Sequence, residues 1–194
     1  MTMPQVGVDG RDSYGESVNH KLDHMVGNRE HGQLVQIDRA NAPLPVKGVG
    51  NNFKTPFVTL PGVAVAAHAN GDALGTKFVV TVPSSGTLQA AILPDMAKQS
   101  LQVDFILFTA DFTGGTDDAA FDMADADRVN LAGFISVSSF ADFNDSSVGL
   151  TRSWGLDYVA PLGRFYVQAV ARGAITPAAV DDFSVSFIIN SNDG

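Results

Sequence analysis

The chain has 194 residues, 45% of them hydrophobic and 17% charged, a composition typical of a folded soluble protein. It contains no cysteine, which excludes disulfide bonds, thiol catalysis and cysteine-based zinc sites. The net charge of −9 arises within residues 55–194, where fifteen Asp outnumber two Lys and four Arg. Because this acidic part repels phosphate backbones, we expect no nucleic-acid partner.

Residues 1–54, which carry no net charge, are predicted to form an extended N-terminal arm. Apolar residues at roughly helical spacing predict a short helix within residues 18–35, although Gly27 and Gly32 interrupt it. The prolines at 43 and 45 keep the following linker extended. We expect the arm to bind partners by adding a strand to a sheet edge, at residues 34–37 or 46–49. The candidate partner-binding residues of the arm are Leu34, Val35, Ile37, Leu44, Val46, Val49 and Phe53.

A series of short strands is predicted from Thr55 to the C-terminus. Residues 76–109 contain three apolar runs, which we interpret as a meander with turns at 83–86 and 94–95. In the last run, Val103, Phe105 and Leu107 alternate with Asp104 and its neighbours, as a half-buried strand requires. The other face becomes apolar toward its end, so we expect that end to be covered as well. The remaining predicted strands are residues 57–60, 63–67, 131–139, 148–151, 156–159, 164–172 and 182–190.

These elements amount to about nine short strands, with turns every eight to twelve residues and almost no helical periodicity. The pattern predicts an all-β fold, an antiparallel β-sandwich of jelly-roll type over residues 55–194, preceded by the extended arm over residues 1–54.

An Asp-rich and Gly-rich loop at residues 110–128 is too long for a hairpin and too polar for a strand, with one helical turn predicted at 124–129. Clustered carboxylates on a turning loop are typical calcium ligands, but the EF-hand order of ligands is missing. The alternative is a solvated loop whose Asp side chains make local turns and caps. The calcium candidates are Asp117, Asp118, Asp122, Asp125 and Asp127.

Other motifs give little reason to expect catalysis or a bound cofactor. His20 and His24 have a metal-chelating spacing on a helix, but Lys21 stands where the metalloprotease pattern requires Glu. The nucleophile elbow, the phosphate-binding loop and the dinucleotide fingerprint are all missing. Trp154, which we place between two strands, either fills a core position or contacts a partner. Phe121, Phe140 and Phe143 present the same two alternatives. We therefore predict a protein that is not an enzyme and needs no cofactor.

The order of short motifs resembles that of small virion structural proteins of tailed bacteriophages, often encoded beside the major capsid protein. The resemblance covers roughly residues 65–190 and leaves the arm outside it. It is carried by the strings NGDALG at 70–75, FVVTVP at 78–83, GTLQAAIL at 86–93, QVDFILF at 102–108, TDDAAFD at 116–122, FNDSSV at 143–148 and YVQAVARG at 166–173.

The resemblance implies a structural role in the particle and no catalytic residues. We expect a capsid decoration, or cement, protein that binds the major capsid protein on the outside of the shell. The chain has no secretion signal and no apolar run of about 20 residues that could span a membrane, so we expect synthesis in the host cytoplasm and no membrane partner. Closed rings of identical subunits are common, and we expect a homotrimer. The alternatives are a tail, baseplate or head-fibre component and a carbohydrate-binding β-sandwich module.

Overall fold

The computed structural model describes residues 51–193, apart from the side chains of Ser153 and Trp154. This part of the chain contains ten strands and one short 3-10 helix at Asp127–Asn130. The strands are β1 (Asn51–Lys54), β2 (Val58–Thr59), β3 (Phe78–Thr81), β4 (Ser85–Asp95), β5 (Val103–Phe108), β6 (Leu131–Val137), β7 (Phe140–Asp142), β8 (Ser147–Val159), β9 (Arg164–Ala171) and β10 (Ser184–Ser191). No helix within residues 51–193 is long and apolar enough to cross a membrane.

The strands pair in a nested order, and every pairing is antiparallel. β1 pairs with β10, β3 with β9, β4 with β8 and β5 with β6, so the chain folds back on itself like one long hairpin. Pairing of β10 with β4 and of β9 with β5 rolls this hairpin into two sheets. The first sheet has the order β1-β10-β4-β8-β7, and the second has the order β3-β9-β5-β6. This is jelly-roll topology, and the predicted antiparallel β-sandwich is confirmed.

The hydrophobic core lies between the two sheets. Phe105 on β5 meets Phe187 on β10 edge to face, with ring centroids 5.9 Å apart, and Tyr158 on β8 meets Phe165 on β9 at 4.6 Å. These contacts join opposite sheets, and burial of such aromatic side chains supplies much of the stability of a sandwich. The alternation predicted for β5 is confirmed, because Phe105 points into the core and Phe108 is buried on the opposite face.

The predicted meander at residues 76–109 is wrong. β3, β4 and β5 are all strands, but β3 does not pair with β4, nor β4 with β5, because the chain passes to the other sheet after β3 and again after β4. Alternating burial identifies a strand and its inward face, yet it says nothing about the pairing partner. β3 pairs with β9, β4 pairs with β8 and β10, and β5 pairs with β9 and with the following strand, β6.

Two segments predicted to be irregular are strands. Asn51–Lys54, assigned to the linker, forms β1 against β10, and Phe53 packs on the protein's own core instead of facing a partner. β4 runs without interruption through 85–86 and 94–95, where turns were expected. Pro94 is tolerated there because it lies near the end of the strand, opposite Val148.

Two other predictions of strand boundaries also need correction. Residues 63–67 are not a strand, and the two strands expected at 148–151 and 156–159 are one strand, β8. Trp154 therefore lies within a strand and not between two. The helical turn expected at 124–129 is the 3-10 helix that begins at Asp127.

The N-terminal predictions lie outside the described residues. They comprise the helix at 18–35, the extended linker up to residue 50, the histidine pair His20 and His24, and the candidate partner-binding residues Leu34, Val35, Ile37, Leu44, Val46 and Val49.

Candidate interaction surface

The outer face of the second sheet, which we call the covered face, is buried where the Asp-rich loop packs on it, and residues 71–74 extend the same sheet beside β9. Phe108, Gln168 and Val170 on this face are all nearly inaccessible to solvent. Phe112 of the Asp-rich loop stacks on Phe108 with a centroid distance of 4.0 Å, and Phe121 contacts the edge of Phe112. The loop is therefore not a solvated excursion, because its aromatic side chains form a small second core outside the sandwich.

Polar contacts hold the same loop in register with the sheet. The buried amide of Gln168 accepts a hydrogen bond from the backbone N–H of Gly115 at 3.0 Å and donates to the carbonyl of Gly75 at 3.1 Å. Lys77 forms an ion pair with Asp111 at 2.6 Å, and this hydrogen bond holds the pKa of the Asp111 carboxyl below its usual value. These contacts thus fasten the first part of the loop to β9 and to the residue that precedes β3.

The carboxylate of Asp117 makes three further contacts between the loop and the segment between β2 and β3. It accepts hydrogen bonds from the backbone N–H groups of Ala64 at 2.9 Å and Gly75 at 2.6 Å, and from Nε2 of His68 at 2.9 Å. Nδ1 of His68 lies 3.0 Å from the carbonyl of Ala66, so both ring nitrogens of this buried side chain are engaged. We call this arrangement the Asp117 clamp.

Gly75 is required in the clamp for two reasons. Its φ of +77° lies in the left-handed region that favours glycine, and a Cβ there would stand 2.5 Å from the carbonyl oxygen of Pro61. Only a residue without a side chain brings this N–H to Asp117 at hydrogen-bonding distance.

The calcium candidates are not brought together. Asp117 is occupied by three N–H donors, and Asp127 accepts from the backbone N–H of Thr113. Asp118, Asp122 and Asp125 are exposed. Within residues 51–193 no group of three or more metal-ligating side chains is placed to hold an ion. Asp117 and Asp127 accept hydrogen bonds from N–H donors, but the donors to Asp117 lie 42 to 53 residues earlier in the chain, so its contacts are not the local turns and caps of the alternative prediction.

The outer face of the first sheet, which we call the open face, is buried at Ser186 and Ala90 and becomes exposed toward β8 in the described part of the chain. The strand register aligns Ser186, Ile92 and Leu150 in one row across the sheet, and Ile188, Ala90 and Arg152 in the next. Directly opposed residues project to the same face. Ile92 and Ile188 are half-buried and Leu150 is 44% exposed, so an apolar patch reaches the surface here.

The open face ends at a strand whose outer edge is largely unpaired among residues 51–193. β7 pairs only with the start of β8, at residues 147–149, and Leu150 donates its N–H to the carbonyl of Ser139. From Thr151 to Val159 the outer edge of β8 has no strand partner in that range. Unpaired edges present backbone donors and acceptors to any passing strand, which makes them natural attachment sites.

A bulge interrupts β8 in the middle of this free edge. Leu88 pairs with Leu156 and Ala90 with Arg152, so an advance of two residues along β4 corresponds to an advance of four residues along β8. Gly155 has a φ of +92° within this bulge. Bulges bend an edge strand and redirect its side chains, and they are common beside functional surfaces.

A groove of about 360 Å³ lies beside the same edge, between β8 and β6. It is lined by Phe134 and Ser136 on β6 and by Arg152 and Leu156 on β8, among others. Phe134 is 63% exposed. The groove places an accessible aromatic ring next to the part of β8 that has no strand partner among residues 51–193.

The aromatic candidates have different outcomes. Phe121 and Phe140 fold back on the protein, the first on Phe112 and the second on the main core. Phe143 remains 57% exposed in the turn before β8. The backbone of Trp154 lies within the β8 bulge, and contact of its side chain with a partner stays a prediction.

Leu150, Ile92 and Phe134 were missed by the sequence reasoning. Nothing in the sequence singles them out, because a sequence does not say which face of a sheet another segment will cover. Comparison of the chain with protein-family models, curated proteins and solved structures gives no match.

Proposed function

We propose that this chain is a virion structural protein, most specifically a capsid decoration protein that binds the outside of the major capsid shell. The order of the short sequence motifs at residues 65–190, which resembles that of small tailed-bacteriophage virion proteins, supports this proposal. The jelly-roll body, its acidic charge and the long N-terminal segment are all suited to a subunit that attaches to a larger assembly. No catalytic residue is assigned, and the proposal includes none.

The observation that carries the proposal is the asymmetry of the sandwich. One outer face is buried under the chain's own loop, whereas the open face presents Leu150 and Ile92 beside the unpaired edge of β8. Apolar surface next to an unpaired edge is typical of an attachment surface. A subunit that must lie on a shell needs one such side.

The N-terminal arm supplies the second attachment in this proposal. About twenty extended residues span roughly 65 Å, enough to reach a neighbouring subunit of a shell. A segment that becomes ordered along a partner gains contact area and bears the ordering cost only when it binds. Residues 34–37 and 46–49 are the proposed strand-forming parts, and sister copies arranged as a homotrimer would bring three arms to one site.

Deletion of residues 1–50 tests this role of the arm. The core that the structure describes, from Leu60 to Ile189, is kept by this deletion, so we expect the shortened protein to fold. We expect it to lose co-sedimentation with purified capsids, while the full chain binds and raises the temperature at which the capsids break open. Binding of the shortened protein at full affinity would exclude the arm from the mechanism.

A tail, baseplate or head-fibre position is the first alternative, and the number of copies in a particle separates it from decoration. Quantitative mass spectrometry of purified virions against the major capsid protein gives that ratio. A ratio close to that of the shell subunits supports decoration. A single ring of copies in each particle supports a tail or vertex position.

A carbohydrate-binding module is the second alternative, and the exposed Phe134 in the β6–β8 groove favours it. Aromatic rings in grooves commonly stack on ligands. A glycan array probed with the full chain tests this alternative. Binding that disappears in Phe134→Ala would support it, and an array without any signal would exclude it for the glycans displayed.

A further inference from the structure

The ring of His68 lies between two oxygen atoms in the Asp117 clamp. Its Nε2 is 2.9 Å from Oδ1 of Asp117, and its Nδ1 is 3.0 Å from the carbonyl oxygen of Ala66. A carbonyl oxygen only accepts hydrogen bonds, and so does an ionised carboxylate. Both contacts are therefore hydrogen bonds only when each ring nitrogen carries a proton, which makes the ring a positively charged imidazolium.

The carboxylate of Asp117 supplies the opposite charge. Its two oxygen atoms accept from the backbone N–H groups of Ala64 and Gly75 as well as from the ring. Three donors around one carboxyl group leave it only the role of acceptor, which is the role of the ionised form. The His68 side chain is fully buried, and 14% of the Asp117 side chain is exposed. Because a buried charge needs a charged partner in contact with it, Asp117 makes the imidazolium tolerable at this place.

The other charged side chains near the clamp have contacts of their own. Asp72 accepts from the backbone N–H of Ala69 at 2.6 Å. Arg172, at the end of β9, is paired with Asp104, and Asp118 of the loop is exposed. Among residues 51–193, the ion pair of the ring is therefore the one with the clamp carboxylate.

The backbone of His68 is anchored, whereas the chain before it is held mainly by the clamp. Its N–H donates to the carbonyl of Ile175 at 2.8 Å and its carbonyl accepts from the N–H of Ile175 at 3.1 Å. Residues 173–177 around this partner contain no ionisable side chain. Residues 64–67, which we call the strap, are exposed apart from half-buried Ala66. Within the described chain, the strap makes two hydrogen bonds, from its first N–H to Asp117 and from the ring to its Ala66 carbonyl.

We propose that the proton on Nδ1 of His68 latches the strap, so that the strap is held at neutral and acidic pH and is released at alkaline pH. When Nδ1 loses its proton, its lone pair faces the Ala66 carbonyl at 3.0 Å, and the two electron-rich atoms repel each other. Nε2 keeps its proton because it faces the carboxylate. The Ala66 peptide then turns away, and the strap loses one of its two hydrogen bonds.

The direction of the pH dependence follows from where the proton is held. The folded chain holds on the ring a proton that a histidine in an unfolded chain releases near a pH of about 6.5. The stabilisation by the latch is therefore complete below that pH, and it is lost as the pH rises through the range in which the folded ring titrates. The latch acts on the covering layer and not on the open face, so its test does not depend on the proposed virion function.

Nitrogen-15 NMR of the full chain tests the protonation of the ring directly. At a pH of about 7 a free histidine is mostly neutral and has one ring nitrogen without a proton. We expect both ring nitrogens of His68 to be protonated at this pH, with the ring signals assigned through the backbone resonances of the same residue. A His68 ring with one unprotonated nitrogen would overturn the proposal.

Hydrogen exchange as a function of pH tests the release of the strap. The N–H of Ala64 donates to Asp117, and the N–H of Thr113 donates to Asp127 of the same loop, both at 2.9 Å. Exchange of both amides speeds up equally with hydroxide concentration, so the ratio of their rates isolates the latch. We expect the ratio of Ala64 to Thr113 to rise about fivefold or more between pH of about 6 and about 9, the equivalent of one hydrogen bond. A constant ratio would contradict the release.

Two variants assign the pH dependence to the ring. His68→Gln is neutral at every pH, and its amide N–H reaches one acceptor while its oxygen cannot donate to the Ala66 carbonyl. We expect the exchange ratio in this variant to be high already in acid and to stay constant with pH. Asp72→Asn changes a neighbouring carboxylate and should keep the rise of the unchanged chain. A rise that persists in His68→Gln, or that disappears in Asp72→Asn, would overturn the role of His68, and the unchanged chain alone still decides the first two tests.

Discussion

The two outer faces of the sandwich differ in whether their apolar residues are covered by another part of the chain. On the covered face, the chain's own loop contacts Phe108 through the stacked ring of Phe112 and Gln168 through the N–H of Gly115. On the open face, Leu150 reaches the surface beside half-buried Ile92. Both sheets are antiparallel, and such sheets commonly face water on one side. The difference therefore arises from what the loops do and not from the sheets themselves.

Covering a sheet with irregular chain requires partners for the backbone of the covering segment. Buried N–H groups without partners cost free energy, so a covering loop needs acceptors at fixed places. Asp117 provides one for two backbone N–H groups and for His68. The acidic composition of the loop thus serves its own folding. The open face needs no such acceptors, because its strands already satisfy one another.

The largest effect is expected from breaking the cover itself. Phe112→Ala removes the ring that stacks on Phe108 and should lower the free energy of unfolding by about 3 kcal/mol. Leu150→Ala on the open face should cost less than about 1 kcal/mol, because much of that side chain is already in water. Urea unfolding of both variants measures the difference, and equal losses would contradict the distinction between the two faces.

A smaller effect is expected from the clamp. Asp117→Ala leaves three donors without an acceptor and should cost about 2–3 kcal/mol. Asp125→Ala, an exposed residue of the same loop, is the matched control and should change stability by less than about 0.5 kcal/mol. Hydrogen exchange should be faster at the amides of Ala64 and Gly75 in Asp117→Ala. Unchanged exchange there would show that the clamp does not hold the covering layer.

The smallest effect is expected at Asp193, which follows β10 of the first sheet, and it depends on pH. Hydrogen bonds from the hydroxyl and backbone N–H of Ser84 hold the pKa of the Asp193 carboxyl below its usual value. The folded state therefore binds the proton less tightly than the unfolded state. The stabilisation is present above the unfolded pKa of about 4 and is lost as the pH falls through the folded value.

Thermal unfolding of Asp193→Asn tests this linkage. We expect the variant to melt slightly below the unchanged chain at neutral pH. The difference should shrink as the solution is acidified below pH of about 4. A difference that stays constant across the acidic range would show that Asp193 does not contribute through its charge.

The sequence identified most of the strands but not the candidate interaction surface. Alternation in residues 101–109 correctly placed Phe105 inward and correctly predicted a covered end at Phe108. It did not reveal that Phe112, a few residues later, is the cover. The sequence shows that the candidate calcium ligands are acidic and lie on a turning loop. Their spacing could not show that Asp117 accepts hydrogen bonds from three N–H donors more than forty positions earlier in the chain.

Composition and local periodicity are enough to identify most of the strands within residues 55–190, because side-chain alternation is a property of neighbouring residues. They are also enough to determine the acidic charge and the lack of disulfide bonds. Pairing partners, the first strand at Asn51–Lys54 and the choice of which face is covered depend on contacts between distant residues. Only the tertiary structure decides these, since the free energy of such contacts exists only once the whole roll has closed.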